Sequence, residues 1–424
     1  MAALSASTST SGRPRYQVAL AVWTLVWFAV NLPGGGYSWH YFVHGSSLVF
    51  SGSGATPPGG LHIYANYPDL QIGPVAFAVA QVLRMAGPSN GLFVAQAVMM
   101  LLGLLVLDTV ERTVRSTRPD IAGRPGPVRL TMAGAGAAFL VVWASLAVHY
   151  AHLDDVLALV FAALAARALA ADAPALMGLC LGLAVGAKPW AVVFVPLALV
   201  VARHRRRHVV AYAVAMIALL WLPFVLADSG TLNASQFTIV NQPSSALRAL
   251  GVTSAGTPSW DRPAQMLIGC ALGAVAVWRR RWPAVLLLGV GVRIALDPGV
   301  YDYYTAGVML GTLCWETLGL RRPVPAWSLT AFAVLYLAPR MTGDAALLGE
   351  LRLVLMLALT AAVLVMPQRW CADGLGFSAG DGLATAEGRG PTPVRLADIH
   401  GPTDPRRREA AADQQAASEE RAPL

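Results

Sequence analysis

The sequence predicts an all-α chain, folded as a polytopic membrane helical bundle of about 12 transmembrane helices. Three observations carry this expectation. Of 424 residues, 56% are hydrophobic and only 13% are charged, whereas a soluble domain carries roughly 25% charged residues. The apolar residues fall in long blocks, each near the ~20 residues that a helix needs to span a bilayer. The arginines gather between blocks: Arg203, Arg205, Arg206 and Arg207, then Arg279, Arg280 and Arg281, then Arg321 and Arg322. That is the pattern of cytoplasmic loops.

The blocks are 17–32, 72–87, 91–107, 130–148, 153–171, 175–202, 209–227, 263–278, 283–297, 304–319, 325–338 and 348–366. Keeping the arginine-bearing loops on one side sets the topology. The loop 108–129 joins that side if 72–107 makes one net crossing, with one of its two apolar pieces re-entrant or half-length. The block 175–202 must then be two short helices broken at Lys188-Pro189, since proline removes a backbone donor and disfavours a continuous helix. The rival arrangement makes two crossings of 72–107 and one of 175–202, and leaves 108–129 outside. Both put the loops 33–71 and 228–262 outside. Residues 1–16 form a short cytoplasmic N-terminus ahead of a retained anchor, because no small-x-small cleavage site follows the first apolar run. Residues 367–424 are rich in Gly, Pro, Ala, Glu and Arg, and read as a disordered cytoplasmic tail.

The net charge of +8 does not indicate nucleic acid, since no basic face or known module accompanies it. Cys180, Cys270, Cys314 and Cys371 are not closely paired and imply neither a disulfide framework nor a metal centre. Asn233-Ala234-Ser235 is formally a glycosylation sequon, but the arginine- and alanine-rich composition is that of a bacterial chain, so the plasma membrane is the expected location and the sequon is read as chance.

Chemistry-bearing residues concentrate at the outer ends of the blocks. In the first outer loop, Trp39, Tyr41, Phe42, Leu48, Val49 and Phe50 suit a short helix on the membrane surface. His40 and His44 are four apart, a spacing that permits a metal. With no third ligand motif nearby they read better as substrate contacts or hydrogen-bonding groups. Tyr64 and Tyr67 lead to Asp69, the only acid of the 33–71 loop. A lone aspartate of this kind is either a solvated turn residue or a carboxylate facing a polar cavity. His152, Asp154 and Asp155 open a later block, where acids also suit the helix dipole. Lys188, followed by Pro189 and Trp190, is the only lysine in the chain and sits inside an apolar stretch. An ionisable group at membrane depth points to function, with snorkelling to the headgroups as the plainer account. Asp297, Asp302, Tyr303 and Tyr304 offer polar groups beside aromatic faces, which suit a sugar or an interfacial belt.

Taken in order, Tyr64-Ala-Asn-Tyr67-Pro68, His152-Leu-Asp154-Asp155 and Gly182-Leu-Ala184-Val-Gly-Ala-Lys188-Pro189, behind one anchor helix and a long outer loop, resemble bacterial membrane glycosyltransferases of the GT-C superfamily. The nearest branch is the polyprenyl-phosphate-mannose-dependent mannosyltransferase type of actinobacteria. The resemblance covers roughly residues 15–305. It implies a GT-C-like bundle that moves a sugar, mannose in that branch, from a polyprenyl-phosphate sugar donor to a membrane-lipid or cell-envelope glycan acceptor on the extracytoplasmic face. Members carry a catalytic aspartate soon after the first span. Here that region reads Gly34-Gly-Gly-Tyr37-Ser-Trp39-His40, with no acid. The catalytic candidates are therefore Asp69 as base, or His40. Lys188 is the phosphate contact, and Trp190, His44, Tyr64, Tyr67, His152, Asp154, Asp155, Asp302, Tyr303 and Tyr304 are the substrate-binding candidates. No cofactor is implied, and no nucleotide-binding glycine loop is present; a divalent cation is left open. The same residues suit a transporter or flippase for a lipid-linked saccharide, and the missing aspartate suits a catalytically inactive relative.

Overall fold

The computed structural model describes residues 15–52, 55–87, 90–122, 125–321 and 323–366. The tail 367–424, with Cys371, and all but the last two residues of the 1–16 segment lie outside the described residues, as does Arg322. The regular elements among the described residues are all helical, as the sequence predicts. In chain order they are α1 (Arg15–Asn31), α2 (Trp39–Ser51), α3 (Ile63–Asn66), α4 (Pro74–Arg84), α5 (Gly91–Thr117), α6 (Pro119–Ala122), α7 (Pro125–Ala144), α8 (Leu153–Ala170), α9 (Pro174–Ala187), α10 (Arg203–Ala227), α11 (Ala246–Ala249), α12 (Asp261–Trp278), α13 (Val285–Leu296), α14 (Thr305–Cys314), α15 (Ala326–Phe332), α16 (Ala338–Met341) and α17 (Ala345–Val365). A 3₁₀ segment, Pro189–Val200, joins α9 to α10, and π turns carry α7 on to His149 and α14 on to Gly319.

Among the described residues, four helices are long and apolar enough to cross a membrane: Gly91–Thr117, Gly126–His149, Arg203–Ala227 and Ala345–Val365. Their apolar side chains are not all turned inward. Leu219, Leu222 and Leu226 on α10, and Val354, Leu357 and Val365 on α17, are exposed. Contiguous exposed apolar surface of this kind suits a lipid environment rather than water.

The break at Lys188-Pro189 is present. Lys188 has an extended backbone between α9 and the 3₁₀ segment. Small residues then fix how the pieces run. Gly178, Gly182 and Gly186 recur every fourth position on one face of α9, and meet Val209, Ala213 with Met216, and Leu220 of α10 in turn. Residue number rises on both helices together, so α9 and α10 are parallel. The 3₁₀ segment between them therefore runs back the other way. Two ion pairs mark the ends of this unit. Arg205, at the start of α10, pairs with Asp172 in the α8–α9 turn. Lys188 pairs with Asp154 in the first turn of α8.

The same two ends recur across the bundle. At the arginine end, Gln17 Nε2 donates to Glu111 (2.8 Å), Arg167 donates to Ser116 (3.0 Å), and Arg279 donates to the Leu364 carbonyl (3.2 Å). Buried Arg118 donates to the carbonyls of Thr317 and Leu320, at 3.1 and 2.9 Å, and so satisfies orphan acceptors where α14 and its π turn stop. Glu316, fully buried, accepts from the Ser328 backbone N–H (3.3 Å) and from the Trp327 N–H, capping α15 from a neighbouring helix. At the opposite end, Gln96 donates to the Val148 carbonyl (2.8 Å), Arg340 pairs with Asp302 (3.1 Å), and Asp344 caps α17 by accepting from Ala346 and Leu347.

One alternative is decided, and two local expectations need correction. The block 72–87 yields only α4, 11 residues or about 16 Å long, roughly half of a bilayer core. Gly73 N–H bonds the Ala187 carbonyl (3.0 Å) at its start, and Arg84 donates to Ser46 (3.3 Å) at its end, so α4 stays near the Lys188 end. The surface helix expected in the first outer loop forms as α2, but Trp39, Phe42 and Leu48 face the protein, because Gly45 lets α2 press onto the Phe77 ring of α4. The arginine-bearing stretches 108–117 and 203–207 are helical turns of α5 and α10 rather than loops, since nothing in them interrupts the backbone ladder.

A side chain at Gly182 has no room: its Cβ would lie 2.6 Å from Met216 Cβ and 2.9 Å from the Ala213 carbonyl oxygen. Gly182→Leu is expected to lose about 1–3 kcal/mol, seen as a lower melting temperature in detergent. Gly134→Ala, whose Cβ would meet nothing nearer than 3.5 Å, is expected to match wild type. Equal melting temperatures for the two variants would contradict the parallel α9–α10 packing.

Candidate functional site

The Lys188 end of the bundle gathers charged groups from four elements. Leu153 opens α8, so Asp154 and Asp155 occupy its first turn, where unpaired backbone N–H groups and the helix dipole favour negative charge. Both carboxylates are buried. The extended backbone at the end of α9 delivers the Lys188 ammonium to Asp154, and to within 3.6 Å of Asp155. Pro189 starts the 3₁₀ segment, which sets Trp190 so that its indole N–H donates to Asp155 Oδ1 at 2.9 Å. His152 Nε2 lies 3.1 Å from Asp155 Oδ2 and 3.5 Å from Asp154 Oδ1. From α13, Arg293 Nη1 reaches within 3.9 Å of Asp155, and Arg293 Nε within 3.6 Å of Asp297 one turn on. The guanidinium lies against two aromatic rings, its Cζ 4.5 Å from the Trp190 centroid and 4.1 Å from that of Tyr304. Side-chain burial at Arg293 is above nine-tenths, yet its Nε and Nη1 have no hydrogen-bond partner among the described residues.

This cluster forms the floor of a cavity of about 460 Å³. Lys188, Trp190, Arg262, Arg293, Asp261 and Asp297 supply its polar side. Val185, Val193, Trp221, Val225, Ile239 and Met266 supply its apolar walls. Over it passes the loop after α10. Asp228 caps the turn there, accepting from Gly230 N–H at 2.8 Å, and this hydrogen bond, with His62 at 3.2 Å, holds the Asp228 carboxyl below its usual range. Arg262 ties the same loop down, donating to Gln71 Oε1 at 2.9 Å and to the Phe237 carbonyl at 2.7 Å.

The sequence candidates divide accordingly. Lys188, Trp190, Tyr304 and Tyr64 line the cavity, and Asp154, Asp155 and His152 lie directly behind Lys188. Tyr64 is held by its hydroxyl on the Ile72 carbonyl (2.8 Å). The Tyr303 ring is 4.1 Å from that of His152. Asp302 turns to Arg340 instead, and the Tyr67 hydroxyl closes a local turn on the Pro57 carbonyl (2.7 Å). His40, His44 and Asp69 are exposed and are not among the lining residues, although Gln71, two residues beyond Asp69, is. The His40 ring lies against Tyr41, and that of His44 near Tyr67. Among the described residues the group able to hold a metal is a different one: His152, Asp154 and Asp155 offer ligand atoms within 4.8 Å of one another, and the Lys188 ammonium already sits on the two carboxylates. Arg293, Arg262 and Asp261 were not anticipated. For Arg293 a signal exists, an arginine inside the apolar run Val285–Leu296 with an aspartate four residues later.

Removing the ammonium leaves buried carboxylates without their nearest cation, which costs about 3–5 kcal/mol. Lys188→Met is therefore expected to destabilise strongly, and Asp154→Asn added to it to restore more than half of the loss. Melting temperatures of the two single variants and the double variant in detergent measure the coupling; additive losses would show that the pair does not interact. No protein-family model matches the sequence, and no curated protein matches it.

Proposed function

We propose that the chain is an integral membrane glycosyltransferase that moves a sugar, mannose on the resemblance, from a polyprenyl-phosphate donor to an acceptor on the extracytoplasmic face. One observation carries this reading: the buried Nε and Nη1 of Arg293, which have Asp297 and Asp155 at 3.6 and 3.9 Å but no hydrogen bond among the described residues, in a cavity walled by apolar side chains. An unmet buried donor is costly, and a phosphate oxygen is the ligand that a guanidinium fits best. An isoprenoid chain suits the apolar wall. Lys188 is committed to Asp154 and Asp155, so it orders the floor and adds positive field, while Arg293 makes the direct phosphate contact and stabilises the charge on the departing lipid phosphate. Asp69 remains the candidate base: it is exposed, has no ion pair among the described residues, and lies on the segment that carries Gln71 into the cavity.

In this reading the end-to-end passes of the bundle are about a dozen membrane crossings, with α9 and the 3₁₀ segment counted separately and α4 not crossing. The arginine end is cytoplasmic, and with it both termini. With the four native cysteines replaced, a cysteine at His204 is expected to resist an impermeant maleimide in intact cells, and one at Gly343 to react. The reverse pattern would invert the protein and place the cavity inside.

Sugar transfer from a polyprenyl-phosphate-mannose donor is the test of activity. Arg293→Met is expected to lower transfer by roughly 10²–10³-fold, and Asp69→Asn to lower it by roughly 10²–10⁴-fold. Lys188→Arg should retain more activity than Lys188→Met. Full activity in Asp69→Asn would remove Asp69 as base. Donor binding by wild type with no transfer to any acceptor would turn the reading to a transporter of the same lipid.

A further inference from the structure

Asp261 differs from the other buried acids at this end of the bundle. It closes the loop 228–262 and opens α12 ahead of the apolar stretch 263–278, with its backbone N–H on the Pro258 carbonyl (3.1 Å). Its residue is fully buried and lines the cavity. Oδ2 accepts from Gln265 Nε2 at 2.8 Å, and Oδ1 has no hydrogen-bond partner. Asp154 and Asp155 have Lys188, and Asp297 has Arg293, but no ion pair to Asp261 occurs among the described residues. Arg262, its neighbour on α12, is spent on Gln71 and Phe237. Facing it across the cavity are Arg293 and Asp297 of α13, Tyr304, and Lys188 at the break.

Charge counting sharpens the difference. Lys188, Arg262 and Arg293 already balance Asp154, Asp155 and Asp297. An ionised Asp261 would leave the site with one excess negative charge, and an anionic ligand would add a second. Burial, reinforced by the Asp297 charge, pushes the Asp261 carboxyl up to about 7. The opposing pull of Gln265 and Arg262 does not cancel this.

We propose that Asp261 serves the cavity as a neutral carboxylic acid that donates a hydrogen bond to a phosphate oxygen of the bound lipid, so that binding of the anion and retention of a proton are coupled. The proposal rests on the lipid-phosphate reading above. A carboxylic acid opposite a guanidinium gives a phosphodiester two kinds of donor, and adds no charge to a floor that is already balanced. The sign follows by linkage: a bound anion disfavours ionised Asp261, so the ligand raises the proton affinity and the proton raises the ligand affinity by the same factor.

Two probes on the full chain in detergent test this. Dicyclohexylcarbodiimide reacts with protonated carboxyls in apolar surroundings, and peptide mass mapping locates the adduct. Farnesyl methyl phosphodiester carries one fixed negative charge and does not itself titrate between pH 6 and 8, values chosen to flank about 7. The expected result is an adduct on Asp261 at pH 6 that fades as pH rises through about 7 and is suppressed by the phosphodiester. Phosphodiester affinity of wild type should fall by up to tenfold per pH unit above that midpoint, stay flat in Asp261→Asn, and keep its slope in Asp261→Glu. An Asp261→Asn variant that retains the wild-type slope overturns the proposal. Binding of the phosphodiester with no adduct at pH 6 overturns the coupling alone. An adduct with no phosphodiester binding overturns the coupling together with the lipid-phosphate reading.

Discussion

A single ammonium set against two buried carboxylates organises this chain. Bringing Lys188 to Asp154 and Asp155 requires the helix to stop where it does, because a continued α-helix would carry the side chain around the axis and away from the first turn of α8. Pro189 enforces the stop. The desolvation of three charges at once is offset by mutual pairing, by the N-terminal dipole of α8, and by the Trp190 and His152 contacts. From that stop follow the reversed 3₁₀ segment, the parallel α9–α10 pair, and a cavity whose floor is polar and whose walls are not.

The division of labour among the cations follows from their partners. Lysine is a compact point charge and is consumed by the acids beside it. Arginine is planar and can be held by faces rather than by charges. Trp190 and Tyr304 lie against the Arg293 guanidinium, and its edge faces Asp297 and Asp155 at 3.6 and 3.9 Å without a hydrogen bond at Nε or Nη1. Trp190 takes part in both arrangements, with its indole N–H on Asp155 and its ring on Arg293. The lysine cluster and the arginine are therefore mechanically one unit, although they come from different parts of the chain.

Much of this was legible in the sequence and some was not, for physical reasons. Lys188 stood out because the chain otherwise uses arginine, and Pro189 announced the break, so the core of the site could be read from two adjacent residues. Asp154 and Asp155 were legible as helix-opening acids. Arg293 was hidden by its type: one arginine among many carries no contrast, and only its place inside an apolar run with Asp297 one turn on betrays it. Asp261 was hidden because a helix-starting aspartate is ordinary, and its lack of a cation is a property of packing alone. The first outer loop was legible in part. Its histidines and Asp69 drew notice by composition and are not among the lining residues, whereas Tyr64, also singled out from the sequence, and Gln71, which was not, line the cavity. For 72–107 the arginine bias asked for one half-length piece but did not say which; the residues that end α4, Met85-Ala86-Gly87, are a turn whose effect on length sequence alone does not weigh.

The 3₁₀ winding of Pro189–Val200 has a consequence for reach. Its side chains eclipse every third residue, and Ala191, Phe194, Leu197 and Val200 accordingly form one fully packed edge. This edge anchors the segment along its length, while its upper end holds Trp190. Such a segment stores extension: 12 residues at ~2.0 Å each reach about 6 Å further than the same residues would as an α-helix. The extra reach sets Trp190 at the end of the segment, where one side chain meets both Asp155 and Arg293.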